Sequence, residues 1–124
     1  MEWKRGDPKA MRTMKAAVFE GVENIVTREV PVPPCEEDGI LVKVEACGIC
    51  GGDIRNFYTG LRAGVKKQIM GHEIAGVVEE VGSKVTRFRA GDRVAMAPDV
   101  SCGECYYCKR GLVNLCIHHK MLGS

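Results

Sequence analysis

The densest chemistry in this chain lies between Ser101 and Cys116, in the run SCGECYYCKRGLVNLC. Cys102, Cys105, Cys108 and Cys116 are spaced C-x2-C-x2-C-x7-C. Four thiolates this close in sequence can wrap one tetrahedral ion, with Zn–S bonds of about 2.3 Å. Gly103 and Gly111 relieve the backbone of the strain of turning several sulfurs toward one point. A shell closed by four sulfurs leaves no position for water or substrate, so the expected ion is a structural zinc. An iron–sulfur cluster is the rival, because the first three cysteines match the opening of the run C-x2-C-x2-C-x3-C-P. Against it, the last gap is seven residues and Ile117 follows Cys116 where that run has proline. A set of free thiols in a loop is the blandest alternative, and the density of cysteine argues against it.

A second set is scattered: Cys47-Gly48-Ile49-Cys50, then Asp53, then Gly71-His72-Glu73. Thiolate, imidazole and carboxylate are the usual ligands of an open zinc site. Such an ion keeps one position free, where it can polarise a carbonyl or lower the pKa of a bound hydroxyl. Each fragment alone has an ordinary reading. His72 after a glycine is often a hydrogen-bonded turn or core histidine. Cys47 and Cys50 have the spacing of a redox pair, although no thioredoxin-like βαβ pattern surrounds them. His118 and His119 follow a shell already completed by sulfur and read as a solvated pair. Cys35 reads as a spare thiol, and Lys66-Lys67 and Lys109-Arg110 as solvated surface.

Short strands must position these groups. Met1 to Thr13 is polar, carries Pro8 and has no periodicity, so it reads as an extension or tail in which only Trp3 invites docking. The domain proper is expected over 14–124, with the zinc lobe at 98–116. Lys15 to Phe19 and Asn24 to Val30 read as strands, broken afterwards by Pro31, Pro33 and Pro34. In Ile40 to Ala46 the residues Ile40, Val42, Val44 and Ala46 share one face, with Lys43 and Glu45 on the other. Ile54 to Tyr58 can form a short helix capped by Asp53. Ile74 to Val81, Val85 to Phe88 and Arg93 to Ala97 supply further strands. Many short strands separated by turns predict a mainly β domain, a small barrel or sandwich.

The chain has 124 residues, 45% of them hydrophobic, with 18 Lys+Arg against 16 Asp+Glu and a formal charge of +2. That profile fits one soluble globular core, and the near-neutral balance argues against nucleic acid as a partner. No apolar run is long enough to span a membrane and no secretory leader is evident. Seven cysteines without a leader, an odd count, favour metal over disulfides and a cytoplasmic location.

Together the runs CGICGGD, GHEIAGVVEEVGSKVTRFRAGDRV and CGECYYCKRGLVNLC closely resemble the N-terminal catalytic domain of the zinc-dependent medium-chain dehydrogenases, the alcohol, polyol and threonine dehydrogenase group. The resemblance runs from about Met14 to Cys116. It implies a GroES-like, partly open β-barrel with short helices and a four-cysteine zinc lobe. It also implies that Cys50 and His72 ligate a catalytic zinc and that Glu73 sits beside the metal and can exchange onto it. Asp53 then holds the histidine ring, an acceptor that fixes its tautomer and raises its basicity. Cys47 falls at a position usually held by a small or hydroxyl residue, and reads as a buried bystander.

Two departures from the family pattern stand out. Many members carry Ser or Thr two residues after the ligand cysteine, where a hydroxyl begins a proton relay. Here that residue is Gly52, preceded by Gly51. Either a water takes the role or the pair opens room for a bulkier substrate. The family's third protein ligand and its nicotinamide-binding domain would follow the lobe, and no G-x-G-x-x-G fingerprint or P-loop occurs in the chain. The expectation is therefore the zinc-bearing part of an NAD(P)-dependent oxidoreductase acting on a small alcohol, polyol or amino alcohol. NAD or NADP would be bound by a missing domain, the parent would be a homo-oligomer, and this piece alone would be inactive. A free-standing zinc-binding module without catalysis is the alternative.

Overall fold

Strand β1 (Thr13–Gly21) shows how the sequence pattern becomes a sheet. Ala16 and Val18 face inward at 8% exposure each, while Lys15 and Ala17 between them face solvent. The computed structural model describes residues 12–122, so the expected extension and Trp3 lie outside the described residues, except for Arg12 and Thr13. A turn at Val22-Glu23 returns the chain as β2 (Asn24–Pro31), antiparallel to β1. The prolines then end the pairing. The two-residue β4 (Gln68–Ile69), not foreseen in the sequence, covers the other edge of β1 and helps to bury Phe19, which is 3% exposed.

The second sheet has the order β3-β5-β6, formed by β3 (Ile40–Gly48), β5 (Glu73–Val81) and β6 (Arg93–Ala95). Along β5, Gly76 and Val78 turn inward, and Val78 is the most buried side chain at 1% exposure. The β3–β5 register runs from Ile40 opposite Val81 to Gly48 opposite Glu73. It shifts twice, between Leu41 and Val42 and between Val44 and Ala46. These bulges alter the expected single face of β3: each extra residue interrupts the period of two, and Val44 is half exposed.

A third pairing joins β7 (Asp99–Val100) to β8 (Lys120–Met121) across the base of the cysteine lobe. Helix α1 (Gly51–Thr59) links β3 to the loop before β4, and its Phe57 carbonyl accepts from the Glu23 N–H at 2.7 Å. The architecture is mainly β, as expected, and among the described residues no sheet closes on itself. No described helix is long and apolar enough to cross a membrane.

The expected strand at Val85 to Phe88 does not form. The Lys84 N–H donates to the Glu37 carbonyl and the Val85 N–H to that of Gly82, so the turn claims the backbone groups that would open a ladder. Downstream, the Asp92 carboxylate accepts from the Arg89 N–H and fixes a second turn. Phe88 is left 42% exposed, with no partner strand to cover it.

Candidate metal centres

The first centre is built at the junction of β3, α1 and β5. The Met70 N–H donates to the Ala17 carbonyl of β1 at 2.8 Å, which fixes the approach to Gly71. Gly71 then turns with φ +103°, in the left-handed region, and a Cβ there would lie 2.7 Å from the Cys47 sulfur. Glycine is required on both counts. The next residue, His72, points inward at 8% exposure.

Across from it, Cys50 caps α1. Its Sγ accepts the Gly52 N–H at 3.2 Å, while the Asp53 Oδ2 accepts the Cys50 N–H at 3.0 Å, a reciprocal capping box. Asp53 is thus the third residue of the helix, and the cap expected of it falls to Cys50, with α1 starting three residues earlier than predicted. The sequence reading missed this because caps are sought among Ser, Thr, Asp and Asn.

This cap brings three donors together. The Cys50 Sγ lies 3.2 Å from the His72 Nε2, and the His72 Nδ1 lies 3.8 Å from the Asp53 Oδ1. All three groups fall within 4.8 Å of one another. Bonds of about 2.3 Å to sulfur and about 2.0 Å to nitrogen put tetrahedral ligand atoms roughly 3.6 Å apart, so the sulfur–nitrogen spacing fits zinc with little adjustment. The ring presents Nε2 to that position and Nδ1 to the carboxylate, the orientation in which an acceptor strengthens the ligating nitrogen.

Glu73 is not brought into this group. It opens β5 directly opposite Gly48, is exposed, and its carboxylate lies over the Gly48 backbone. Cys47, expected to be buried, is exposed. Its Sγ approaches its own strand's Gly48 carbonyl at 3.5 Å and packs over Gly71.

The second centre is the lobe. Cys102, Cys105, Cys108 and Cys116 converge with all sulfurs within 4.8 Å of one another. The Cys102 and Cys108 sulfurs are 4.0 Å apart, close to the edge of about 3.8 Å expected for a tetrahedron of Zn–S bonds. A multi-iron cluster would have to sit between the sulfurs and hold them wider, so the spacing favours one ion. Gly103 and Gly111 have φ of +74° and +75°, as the folding of the loop around one point requires. Short 3-10 turns at Cys108–Arg110 and Val113–Leu115 complete the wrap, and the Leu122 N–H closes onto the Pro98 carbonyl.

Backbone N–H groups aim at the sulfurs. The Cys102 N–H donates to the Cys116 Sγ at 3.3 Å and the Cys105 N–H to the Cys102 Sγ at 3.4 Å. Donors from Cys108 and Ile117 hold the Cys105 thiol down at about 6, whereas burial pushes Cys108 up to about 11. The Cys116 thiol is also lowered, chiefly by the Cys102 N–H. The lobe thus favours thiolate at some of its positions before any ion arrives.

His118 and His119 stay outside this group, exposed, with the His119 Nε2 3.6 Å from the Asp99 carboxylate. The two basic pairs have partners at the surface. Lys67 bridges to Glu20 at 3.2 Å, and the Arg110 guanidinium stacks 3.7 Å over the Tyr106 ring. Cys35 is half-buried in its loop.

The chain belongs to the alcohol dehydrogenase GroES-like domain family, whose model matches residues 36–124. It is 47% identical over 109 residues to a sorbitol dehydrogenase of Bacillus subtilis (strain 168), covering 85% of this chain and 31% of that protein. Among solved structures it resembles a protein of Sinorhizobium meliloti 1021 assigned as a zinc-binding dehydrogenase and bound to NADP. The TM-score is 0.78 at 41% identity, over 90% of this chain and 32% of that one. The cobalt- and zinc-bound thermostable alcohol dehydrogenase of Pyrobaculum aerophilum gives a TM-score of 0.82 at 30% identity, over 90% and 35% of the two chains. The chain therefore spans about a third of the length of these relatives.

Proposed function

We propose that this chain is the zinc-bearing catalytic domain of an NAD(P)-dependent alcohol or polyol oxidoreductase. The observation that supports this best is the coexistence of two unlike metal sites in one small fold. One gathers four sulfurs; the other brings the Cys50 sulfur to the His72 Nε2, with the Asp53 carboxylate on the far side of the ring at Nδ1. Cys50 and His72 would hold the catalytic ion, and Cys102, Cys105, Cys108 and Cys116 the structural one.

Zinc held by Cys50 and His72 would supply Lewis acidity toward a substrate oxygen, and a nicotinamide cofactor would supply the hydride chemistry. The chain's own residues set the terms. The capping box fixes the Cys50 sulfur at the helix start, and the Asp53 carboxylate stands behind the His72 ring and would orient it. Gly52 offers its N–H to the Cys50 sulfur and no side chain, so no proton relay begins there. A water would serve instead, or the space would admit a bulkier alcohol. Nicotinamide would be held by residues outside these 124, in a cytoplasmic homo-oligomer.

A turnover assay with NAD(H) and NADP(H) against a panel of alcohols, polyols and amino alcohols tests this reading. Metal-dependent activity is expected of the protein joined to a nicotinamide-binding domain, and none of the 124 residues alone. Metal analysis should return zinc, held more tightly by the lobe than by the Cys50 site. Stoichiometric iron, or two tightly held zincs without any dehydrogenase activity in the joined protein, would overturn it.

A further inference from the structure

At the base of the cysteine lobe, β7 begins at Asp99, and the chain returns through His119 into β8. The strand pairing of Val100 with Lys120 brings the two side chains together. The His119 Nε2 lies 3.6 Å from the Asp99 Oδ1, too far for a hydrogen bond. Other ion pairs on this surface close further, to 2.8 Å between Arg28 and Glu20 and to 3.3 Å between Arg89 and Asp92. An imidazole nitrogen and a carboxylate oxygen thus stand close together without bonding.

Both residues line a cavity of about 260 Å³, shared with Ser101 and Asn114 and walled by Ala97 and Val113. The Ser101 hydroxyl and the Asn114 amide have no side-chain hydrogen bond among the described residues. Four groups able to donate to a divalent ion therefore border one space, and none is engaged by another part of the chain. The volume is several times the roughly 30 Å³ of one water molecule, so an ion fits with waters to complete its shell.

We propose that Asp99 and His119 form a third metal site, for a divalent transition cation of zinc's class, with the side-chain oxygens of Ser101 and Asn114 as further donors. Zinc bonds of about 2.1 Å to nitrogen and oxygen put tetrahedral ligand atoms about 3.4 Å apart, close to the observed spacing. No sulfur belongs to this set, and the pair is exposed. It therefore holds zinc less tightly than the four thiolates do and fills after the lobe. The ion joins three pieces of chain: the start of β7, the approach to β8, and the 3-10 turn Val113–Leu115 that carries Asn114. It fastens the lobe to its base from outside the four-sulfur shell, whether or not Cys50 and His72 hold a metal.

Zinc alone, titrated into the full chain and followed by proton–nitrogen correlation spectra, tests this. The His119 ring nitrogens should shift in a step of their own, after the lobe is filled. The backbone amides of Ser101 and Asn114 should follow the same step, and they report it in variants that lack the ring. His119→Ala and Asp99→Asn should each weaken the step by roughly tenfold or more, since even the outer partners of a metal ligand act on that scale. Asn114→Ala should weaken it by a smaller factor. His118→Ala, which alters an exposed neighbour outside the cavity, should leave it unchanged. The absence of a separate His119 step overturns the proposal, as does a step that persists in His119→Ala. A step lost equally in His118→Ala would mean loose binding by adjacent imidazoles, and would also overturn it. Every variant should keep the lobe's zinc; its loss in Asp99→Asn or His119→Ala would mean that these residues serve the four-sulfur shell instead.

Discussion

Replacing Asp53 would separate the helix cap its carboxylate makes from the support proposed for the His72 ring. Its Oδ2 accepts the Cys50 N–H at 3.0 Å and its Oδ1 stands 3.8 Å from the His72 Nδ1. Asp53→Ala strands a partly buried N–H, which costs about 1 kcal/mol. It also removes the acceptor behind the histidine. Loss of such an outer partner lowers metal affinity by roughly 10- to 100-fold, or about 1.4 to 2.8 kcal/mol at the Cys50 site. Asp53→Asn keeps an oxygen for the Cys50 N–H and forfeits the charge. Its stability should stay within about half a kcal/mol of the parent, while its affinity falls toward the tenfold end. The assay pairs urea denaturation with zinc competition against a chelating dye, following the weaker of the two binding steps. If Asp53→Ala loses stability but binds zinc at the Cys50 site as before, the carboxylate is only a helix cap. The His72 ring would then owe its ligating strength to something other than Asp53.

The lobe and the surface give further expectations. Cys116→Ser should empty the lobe of zinc and loosen the β7–β8 pairing, seen as faster amide exchange from Asp99 to Met121, while the Cys50 site keeps its metal. Gly52→Ser places a Cβ 3.2 Å from the Cys50 sulfur, so it should weaken zinc binding at the Cys50 site by a few-fold through crowding, again read by dye competition. The Glu20 carboxyl is lowered from 4.5 to about 2, first by the Arg28 hydrogen bond and then by that of Lys67. A lowered acid stabilises the fold above its unfolded value and loses that contribution as pH falls through its folded one. Denaturation midpoints of Glu20→Gln should therefore lie below those of the parent at neutral pH, and the two should converge between pH 4.5 and about 2.

Much of this arrangement could be read before any geometry. Alternation gave β1 and β2, and the cysteine spacing gave the lobe, because both signals are local and periodic. Residues that act across the chain were harder. The segment from Val85 to Phe88 has strand-like residues, yet the Lys84 N–H just before it is claimed by the Glu37 carbonyl and the Val85 N–H by the turn at Gly82; the first of these is a long-range fact that local composition does not carry. The bulges in β3 arise from its pairing with β5 and left Val44 exposed against the pattern. Cys50 was singled out as a candidate ligand but not as a cap, since cysteine is rare in the capping role. Glu73 was recognised as an acid beside a metal, but its berth on Gly48 depends on the register of two strands.

That register has a consequence for how the first site can fail. The two bulges act like teeth on a ratchet, since β3 cannot slide along β5 without undoing both. The smallest slip is a full residue, about 3.4 Å, which turns every side chain of the slipped strand to the other face of the sheet. There is no partly misaligned state in which Cys50 and His72 still share an ion. Damage to the ladder, wherever it occurs, should therefore divide the molecules into two populations, one binding normally and one not at all. A metal titration would record a lower stoichiometry at unchanged affinity.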